Sequence, residues 1–111
     1  MRNKYMNVKV SFNGINFDSI KEAKRYQELL LLEKSGVVKD LELQVPFTLV
    51  PGYVKNGKKI REMKYIADFV YFDKEKNKKV VEDVKGVKTD VYKLKKKIFE
   101  YKYPDLEIFE S

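Results

Sequence analysis

The sequence contains neither cysteine nor histidine. Without cysteine, the chain has no disulfide framework, no thiolate zinc site and no cysteine nucleophile. Without histidine, it lacks the commonest general base and metal ligand of proteins, and every Ser-His-type triad is excluded. Any metal ion bound by this chain must therefore be held by oxygen atoms.

Long hydrophobic runs are also missing. No apolar stretch approaches the roughly 20 residues of a membrane-spanning helix, and no apolar segment like that of a signal peptide follows Met1-Arg2-Asn3-Lys4. The sequence has no internal repeat and no low-complexity tract. With a length of 111 residues, these absences predict one domain over residues 1–111, no membrane partner and a cytoplasmic location.

Positive charge, by contrast, is abundant. The chain has 24 Lys plus Arg against 17 Asp plus Glu, which gives a net charge of +7. Such an excess suits a polyanionic partner, of which the phosphate backbone of nucleic acid is the foremost example. An anionic membrane surface, or solubility alone, would also account for the charge.

The N-terminal part of the sequence predicts a hairpin followed by a helix. Residues 8–17 alternate around Asn13-Gly14, a strong signal for a two-residue hairpin turn. Ser19 and Glu22 then have the spacing of a helix capping box, and Gly36 is a typical helix stop.

Three strands are predicted next. Residues 37–51 alternate like a strand, and Pro46 limits that strand to a sheet edge or a bulge. Residues 52–59 form a turn with a basic tip, which either touches phosphate or is simply solvated. Residues 65–71 and 80–86 then have the β-branched and aromatic content of strands.

A second helix and a last strand complete the predicted order. Thr89-Asp90 can cap the helix, whose apolar residues at near-helical spacing are Val91, Leu94, Ile98 and Tyr101. Pro104 ends it, and residues 106–109 form a short strand. The order predicts an α/β chain of the α+β type, with a mixed central sheet flanked by helices and an N-terminal β-hairpin.

Two of the predicted strands carry a carboxylate where a buried strand normally has an apolar side chain. These are Asp68 and Asp83. A hairpin that pairs Asp73 with Lys78 makes paired residue numbers sum to 151, which places Asp68 opposite Asp83. Directly opposed side chains have Cβ atoms about 5 Å apart, so the two carboxylates repel and need a counter-charge.

Lys85 shares the predicted face of Asp83, opposite Ile66, because strand side chains alternate. Two acids and a lysine at one end of an apolar surface suit Mg²⁺, which takes oxygen ligands, with the lysine free for proton transfer or charge stabilisation. An ordinary edge hairpin with solvated Asp83 and Lys85 is the alternative. The whole predicted face comprises Ile66, Asp68, Val70, Phe72, Val81, Asp83 and Lys85.

Glu22 has two interpretations that can hold together. It either completes the capping box by accepting from the Ser19 N–H, or it points over the sheet as a further oxygen ligand. Gln44, on the strand of residues 37–51, faces either the same site or solvent.

The second helix is dense in lysine on the side away from its predicted apolar face. Such a face can hold the DNA backbone, although it is often merely solvated. Tyr92 and Lys96 lie four residues apart and share a side of the helix. The predicted nucleic-acid-binding residues are Lys88, Tyr92, Lys93, Lys95, Lys96 and Lys97.

These residues resemble a known pattern. Glu22 in a first helix, Asp68 on a middle strand and Asp83-Val84-Lys85 on its partner strand resemble the PD-(D/E)XK nuclease superfamily, whose restriction-endonuclease-like core is αβββαβ. More narrowly, the stretches Ala67-Asp68-Phe69 and Glu82-Asp83-Val84-Lys85-Gly86 resemble a phage and prophage family of Holliday junction resolvase-like nucleases. The resemblance covers residues 10–109.

The resemblance implies a role for each matching residue. Asp68, Asp83 and the backbone carbonyl of Val84 would bind Mg²⁺, for which Mn²⁺ substitutes, and Glu22 would be a supporting ligand. Lys85 would orient or activate the attacking water. Lys96 and Tyr92 stand where such nucleases often keep an auxiliary residue.

The sequence departs from the family pattern at two positions. Ala67 precedes Asp68 where many members have proline, and Glu82 beside Asp83 is a competing candidate ligand. Strand alternation favours Asp83, because Glu82 would face away from Lys85.

The resemblance thus implies a Mg²⁺-dependent DNA endonuclease, structure-selective in the manner of a Holliday junction resolvase, that acts on phage or prophage DNA in a bacterial host cell. Symmetric cutting of two strands calls for a homodimer. The competing hypothesis is a non-catalytic basic DNA-binding module with structural acids. A third, an interaction protein using the surface of Leu29–Leu32, explains neither the acids nor the lysine helix.

Overall fold

A computed structural model describes residues 9–85 and 87–111. The prediction of an α+β chain with a mixed sheet and two helices is confirmed, and a second hairpin is present in addition. In chain order the elements are β1 (Val10–Phe12), β2 (Ile15–Phe17), α1 (Ile20–Lys34), β3 (Val38–Val50), β4 (Tyr53–Lys55), β5 (Lys58–Ile60), β6 (Met63–Asp73), β7 (Lys78–Asp83), α2 (Asp90–Lys102) and β8 (Ile108–Glu110).

The central sheet has the strand order β3-β6-β7-β8. The first two pairs are antiparallel, whereas β7 and β8 run parallel because α2 connects them. Pro46 lies on β3, an edge strand, as a residue without a backbone N–H requires. Neither helix in the described part of the chain has the length and apolar character needed to cross a bilayer.

The register of β6 and β7 follows the predicted sum. Phe69 pairs with Glu82 and Asp73 with Lys78, so one further step along the hairpin brings Asp68 opposite Asp83. The strand ends at Asp83, however, and Lys85 does not pair with Ile66. Its backbone N–H donates instead to the carbonyl of Ser111 at 3.2 Å. Gly86 and Val8, expected in strands, lie outside the described residues.

Two hydrophobic cores lie on opposite faces of the sheet. The core under α1 contains Phe17, Ala23, Tyr26, Leu29, Val38, Phe69, Tyr71 and Val80. The core under α2 contains Leu49, Tyr65, Ala67, Val70, Val81, Tyr92, Phe99 and Ile108. Aromatic rings fill both cores, and their edge-on and stacked contacts add to the free energy of apolar burial.

The side-chain alternation of β6 breaks at Asp68. Ala67 and Val70 belong to the same core, which strict alternation forbids for residues three apart. Gln44, which stands beside this point on β3, has a left-handed φ of 52°. The predicted common face is therefore wrong for Ile66, which is 51% exposed, and it is interrupted at one of the two acids.

Both helices begin at the predicted caps. The Ser19 hydroxyl accepts from the Glu22 N–H at 3.1 Å, and the Thr89 hydroxyl accepts from the Tyr92 N–H at 3.1 Å. For α2 the predicted apolar face is wrong at Val91, Leu94 and Tyr101, which are exposed, whereas Ile98 is partly buried against the core. The buried residues are Tyr92 and Phe99. Burial of these two large rings against the sheet sets the rotation of the helix about its axis.

Glu82 is fully buried on the face opposite Asp83, with every partner that a buried carboxylate needs. Arg25 Nε and Nη2 donate to it at 2.5 and 3.0 Å. Tyr71 donates at 2.6 Å and Ser111 at 2.7 Å. Glu82, the competing candidate ligand, therefore already forms an ion pair and hydrogen bonds. These contacts link α1, β6, β7 and the residue after β8.

We predict that Arg25→Met destabilises the protein by about 3–5 kcal/mol, because it leaves the Glu82 carboxylate buried without its cation. Urea unfolding at neutral pH measures the loss. Lys24→Met, a neighbouring exposed position, is the matched control, and equal unfolding midpoints for the two variants would contradict the prediction. The double variant Arg25→Met with Glu82→Met should recover most of the loss.

Candidate active site

Asp83 is a buried carboxylate, one oxygen of which has an ion-pair partner but no hydrogen bond among the described residues. It is the last residue of β7 and only 2% exposed. The Tyr65 hydroxyl donates to Oδ2 at 2.5 Å, and Lys85 Nζ lies 3.0 Å from Oδ1 as an ion pair. Within the described residues, Oδ1 has no hydrogen bond of normal geometry. A buried acceptor in this state is open to a further ligand.

Asp68 lies across the hairpin from Asp83 and is half-buried. Its Oδ2 accepts from the Val84 N–H at 2.8 Å, and Gln44 Nε2 is 3.5 Å from Oδ1. Burial, followed by the negative charge of Asp83, raises the pKa of Asp68 to about 7, although the Val84 N–H favours the charged form. The Asp68 and Asp83 carboxylates therefore compete for a proton or a cation at neutral pH.

Glu22 points from the first turn of α1 over the sheet. It is 8% exposed, and its Oε2 accepts from Gln44 Nε2 at 3.2 Å. Burial raises the pKa of Glu22, with further contributions from Asp18 and Asp83, whereas Lys85 lowers it. The Glu22 side chain therefore points over the sheet, as its second interpretation expects, and its role as a metal ligand stays a prediction.

Gln44 bridges Glu22 and Asp68, although the sequence left its direction open. The pairs Leu43 with Phe69 and Val45 with Ala67 bracket it, which places it beside Asp68 on the neighbouring strand. The sequence left the direction of Gln44 open because alternation alone does not say which strand lies next to β6.

Lys85 is held between an acid and an aromatic ring. Its Nζ lies 4.2 Å from the centroid of the Tyr92 ring, a cation–π contact, in addition to its ion pair with Asp83. Lys21 Nζ donates to the Lys85 carbonyl at 2.9 Å. The Tyr92 hydroxyl in turn donates to Glu110 Oε2 at 2.7 Å, so the lysine is positioned by β7, α2 and β8 together.

Glu110 was missed by the sequence reasoning. Lys88 Nζ lies 3.0 Å and Lys96 Nζ 3.7 Å from its carboxylate. The Tyr92 hydroxyl and Lys88 lower the pKa of Glu110. Only its position on a strand parallel to β7, one residue before the end of the sequence, brings it to the site, and no local pattern encodes that placement.

The predicted nucleic-acid-binding residues divide into three groups. Tyr92 is buried and forms a wall of the site. Lys88 and Lys96 stand at the rim, partly neutralised by Glu110. Lys93 and Lys97 are exposed and Lys95 is half-buried, so these three extend the positive surface along α2.

The donor atoms at this site are suited to a hard divalent cation. Asp68, Asp83 and Glu22 offer carboxylate oxygens, and Asp83 Oδ1 is unsatisfied. Within residues 9–85 and 87–111, no group of three or more Asp and Glu side chains is close enough to hold a metal ion alone. Mg²⁺ usually takes one or two protein carboxylates and completes its shell with water and phosphate oxygens, so the Asp68–Asp83 pair fits it.

The raised pKa of Asp68 predicts a loss of stability with rising pH in chelated buffer. The folded chain binds this proton more tightly than the unfolded chain, whose Asp pKa is near 3.8. The contribution is therefore fully present below pH of about 4 and lost as the pH rises to about 7, a change of about 1–2 kcal/mol after allowance for partial exposure.

Urea unfolding between pH 4.5 and 8 with EDTA tests this prediction. Asp68→Asn, whose side-chain oxygen still accepts from the Val84 N–H, should flatten the profile and raise stability at pH 8. Asp105→Asn, at an exposed position, is the control. An Asp68→Asn profile parallel to that of the wild type would show that Asp68 is not the group responsible.

Comparison with known proteins gave one result. No curated protein and no solved structure matches the chain. A family model described as "Protein of unknown function (DUF1064)" matches residues 2–110, nearly the whole sequence. The chain therefore belongs to the DUF1064 family.

Proposed function

We propose that this protein is a Mg²⁺-dependent DNA endonuclease that hydrolyses phosphodiester bonds. One observation carries the proposal. Asp83 is buried beside Asp68, and within the described residues its Oδ1 has no hydrogen bond and pairs with a single cation, Lys85. A pair of carboxylates is costly to bury for structure alone, and perturbed acids of this kind cluster at functional sites.

Mg²⁺ would be held by Asp68 and Asp83 with the backbone carbonyl of Val84, and Glu22 would support it through Gln44. When bound there, the ion would offset charge on the phosphate oxygens and lower the pKa of a water molecule. Mn²⁺ offers the same oxygen preference and should substitute.

Lys85 has the geometry of a group that positions a nucleophile or stabilises negative charge. Its ammonium is fixed between Asp83 and the Tyr92 ring, so little reorganisation is needed at the moment of reaction. Tyr65 holds the other Asp83 oxygen and keeps that carboxylate oriented. These contacts fix the orientation of the Asp83 carboxylate and of the Lys85 ammonium.

The succession of elements supports the proposed superfamily. The order α1-β3-β6-β7-α2-β8 follows the αβββαβ core that the sequence pattern implies. Asp68 on β6 and Asp83 on β7 stand on adjacent strands of that core. A restriction-endonuclease-like core is therefore part of the proposal.

The DNA-binding surface would be the rim and exposed side of α2. Lys88, Lys93 and Lys97 offer charge to phosphate groups without reading bases. A site that recognises backbone and shape suits branched substrates. We propose structure-selective cutting like that of a Holliday junction resolvase, in phage or prophage DNA processing in the cytoplasm of a bacterial host.

The alternative is a non-catalytic basic DNA-binding module. It is favoured by the absence, within the described residues, of three acidic side chains close enough to hold a metal ion alone. It predicts DNA binding that is indifferent to the loss of Asp83 and no metal-dependent turnover. The interaction-protein hypothesis is weaker, because Leu29 is buried and Leu31 is the exposed member of that surface.

We predict that Asp83→Asn and Lys85→Ala each lower cleavage at least 100-fold while DNA binding is retained. Asn preserves the size of the side chain and a partner for Tyr65 but removes the charge, and the alanine removes the positioned cation. The assay uses four-way junction, flap, duplex and single-stranded DNA with Mg²⁺ or Mn²⁺. Asp105→Asn and Lys74→Ala, remote exposed positions, should cut like the wild type.

Equal cutting by the wild type, Asp83→Asn and Lys85→Ala would reject the assignment. Thermal melting separates the two hypotheses without catalysis. Mg²⁺ should raise the melting temperature of the wild type, since a ligand that binds only the folded state stabilises it, and should raise that of Asp83→Asn much less. A non-catalytic module would give equal shifts for both proteins.

A homodimer is the second part of the proposal, since symmetric cutting of two strands needs two sites related by a two-fold axis. Val91, Leu94 and Tyr101 form an exposed apolar stripe on α2, 64%, 55% and 89% exposed. Their spacing is that of a helix–helix seam, which suits a second copy of α2. We predict that Leu94→Glu converts a dimer to monomers in light scattering. An unchanged mass for Leu94→Glu relative to Lys74→Glu would exclude this interface.

A further inference from the structure

A β-hairpin projects from the end of the central sheet. We call residues 51–61 the arm; it contains β4 and β5, which pair antiparallel with Tyr53 opposite Ile60 and Lys55 opposite Lys58. Every residue from Pro51 to Lys64 is exposed, and the two strands pack mainly against each other. Neither core uses the arm, so core packing does not explain it.

The arm has a defined conformation. Asn56 and Gly57 have φ values of 50° and 75°, the left-handed pair that a tight hairpin turn requires. At the base, a Cβ on Gly52 would lie 3.2 Å from the Ile60 carbonyl oxygen, so the two strands cross closely there.

Side-chain contacts anchor the base of the arm. Thr48 donates to Glu62 at 3.0 Å, and Tyr103, directly after α2, donates to the Thr48 carbonyl at 2.9 Å. The arm therefore leaves the sheet next to the C-terminal end of the lysine-bearing helix.

The charge of the arm is entirely positive. Lys55, Lys58, Lys59 and Arg61 lie in residues 51–61, and no acidic residue does. Lys55 and Lys58 stand directly opposite each other, an arrangement that destabilises a hairpin unless an anion lies nearby. The exposed Tyr53 and Ile60 share their face of the hairpin.

We propose that the arm grips the phosphate backbone of duplex DNA beside the cleavage site. This inference rests on the proposed nuclease function. A two-stranded β-ribbon fits the major groove of B-DNA, and the opposed lysines can reach phosphate groups at its edge. A second copy of the chain is a poorer occupant, because the arm carries four cations and no acid, and the proposed dimer contact lies on α2 instead.

The position of the arm predicts where it meets DNA. Asp68 is five residue steps from Met63 along β6, and five more steps lead to Lys58 at the tip of the arm. At about 3.3 Å per strand residue, the tip lies no more than about 33 Å from the carboxylates. With 3.4 Å per base pair along one strand, this corresponds to at most about 10 base pairs of duplex.

The first experiment compares two triple variants that remove the same charge. Lys55→Ala with Lys58→Ala and Lys59→Ala alters the arm. Lys74→Ala with Lys76→Ala and Lys78→Ala alters exposed residues at the opposite end of β6. Affinity for a 30-base-pair duplex is measured by fluorescence anisotropy in EDTA, so that no strand is cut, over a range of salt concentrations.

The arm variant should bind at least 10-fold more weakly at 0.1 M salt, and its slope of log affinity against log salt should fall by about 2–3. Its melting temperature should be unchanged, because the arm supports no core. The control variant should keep a binding slope close to that of the wild type. Equal losses in both variants would mean that net charge alone matters and would overturn the inference.

The second experiment uses the absence of cysteine from the chain. Lys58→Cys gives a single thiol for an aryl-azide photocrosslinker at the tip of the arm. Crosslinks to duplex DNA within about 10 base pairs of the cleaved bond support the inference, and crosslinks to a second protein copy instead overturn it. If DNA is never cut but binding and crosslinking still depend on the arm, the proposed nuclease function fails and the arm inference stands. If DNA is cut but neither cutting nor binding depends on the arm, the proposed nuclease function stands and the arm inference fails.

Discussion

The antiparallel register of β6 and β7 decides the different environments of two adjacent acids. Glu82 faces α1, where Arg25, Tyr71 and Ser111 satisfy both of its oxygens. Asp83, one residue on, faces α2, where its partners among the described residues are the Tyr65 hydroxyl and the Lys85 ammonium. Because a buried charge needs both a counter-charge and hydrogen bonds, Glu82 is fully accounted for by the structure, whereas Asp83 Oδ1 has the Lys85 ion pair but no hydrogen bond.

Three elements position Lys85, the ion-pair partner of Asp83. Lys85 follows β7, Tyr92 is in the first turn of α2, and Glu110 ends β8. Charge alternates along this chain of contacts from Asp83 through Lys85 and the Tyr92 ring to Glu110, and then to Lys88 and Lys96. The parallel strand β8 therefore fixes the position of the lysine as well as closing the sheet, and disruption of β8 would loosen the site as well as the fold.

Local signals were sufficient where one residue type has one physical role. The Asn13-Gly14 turn and the caps at Ser19 and Thr89 follow directly from the sequence, and the register of β6 and β7 follows from the length of its turn. Burial on α2 was mispredicted because Val91, Leu94, Ile98 and Tyr101 keep a helical period, yet the aromatic Tyr92 and Phe99 pack against the sheet.

Gln44, Tyr65 and Glu110 reach the site through strand order and through the break in alternation at Asp68. Non-local pairing of this kind leaves no trace in a short window of sequence.

In the proposed function, the residues that attract DNA are different from the residues that cut it. The neighbouring carboxylates of Asp68 and Asp83 repel a polyanion at close range, and ions screen that repulsion beyond about 10 Å at 0.1 M salt. Attraction must therefore come from positive charge placed outside the acids. Lysines of α2 and of the arm are exposed, and the base of the arm contacts the residue directly after α2. DNA held by these outer contacts could approach the carboxylates only as a cation neutralises them, so binding of DNA and of the ion should reinforce each other.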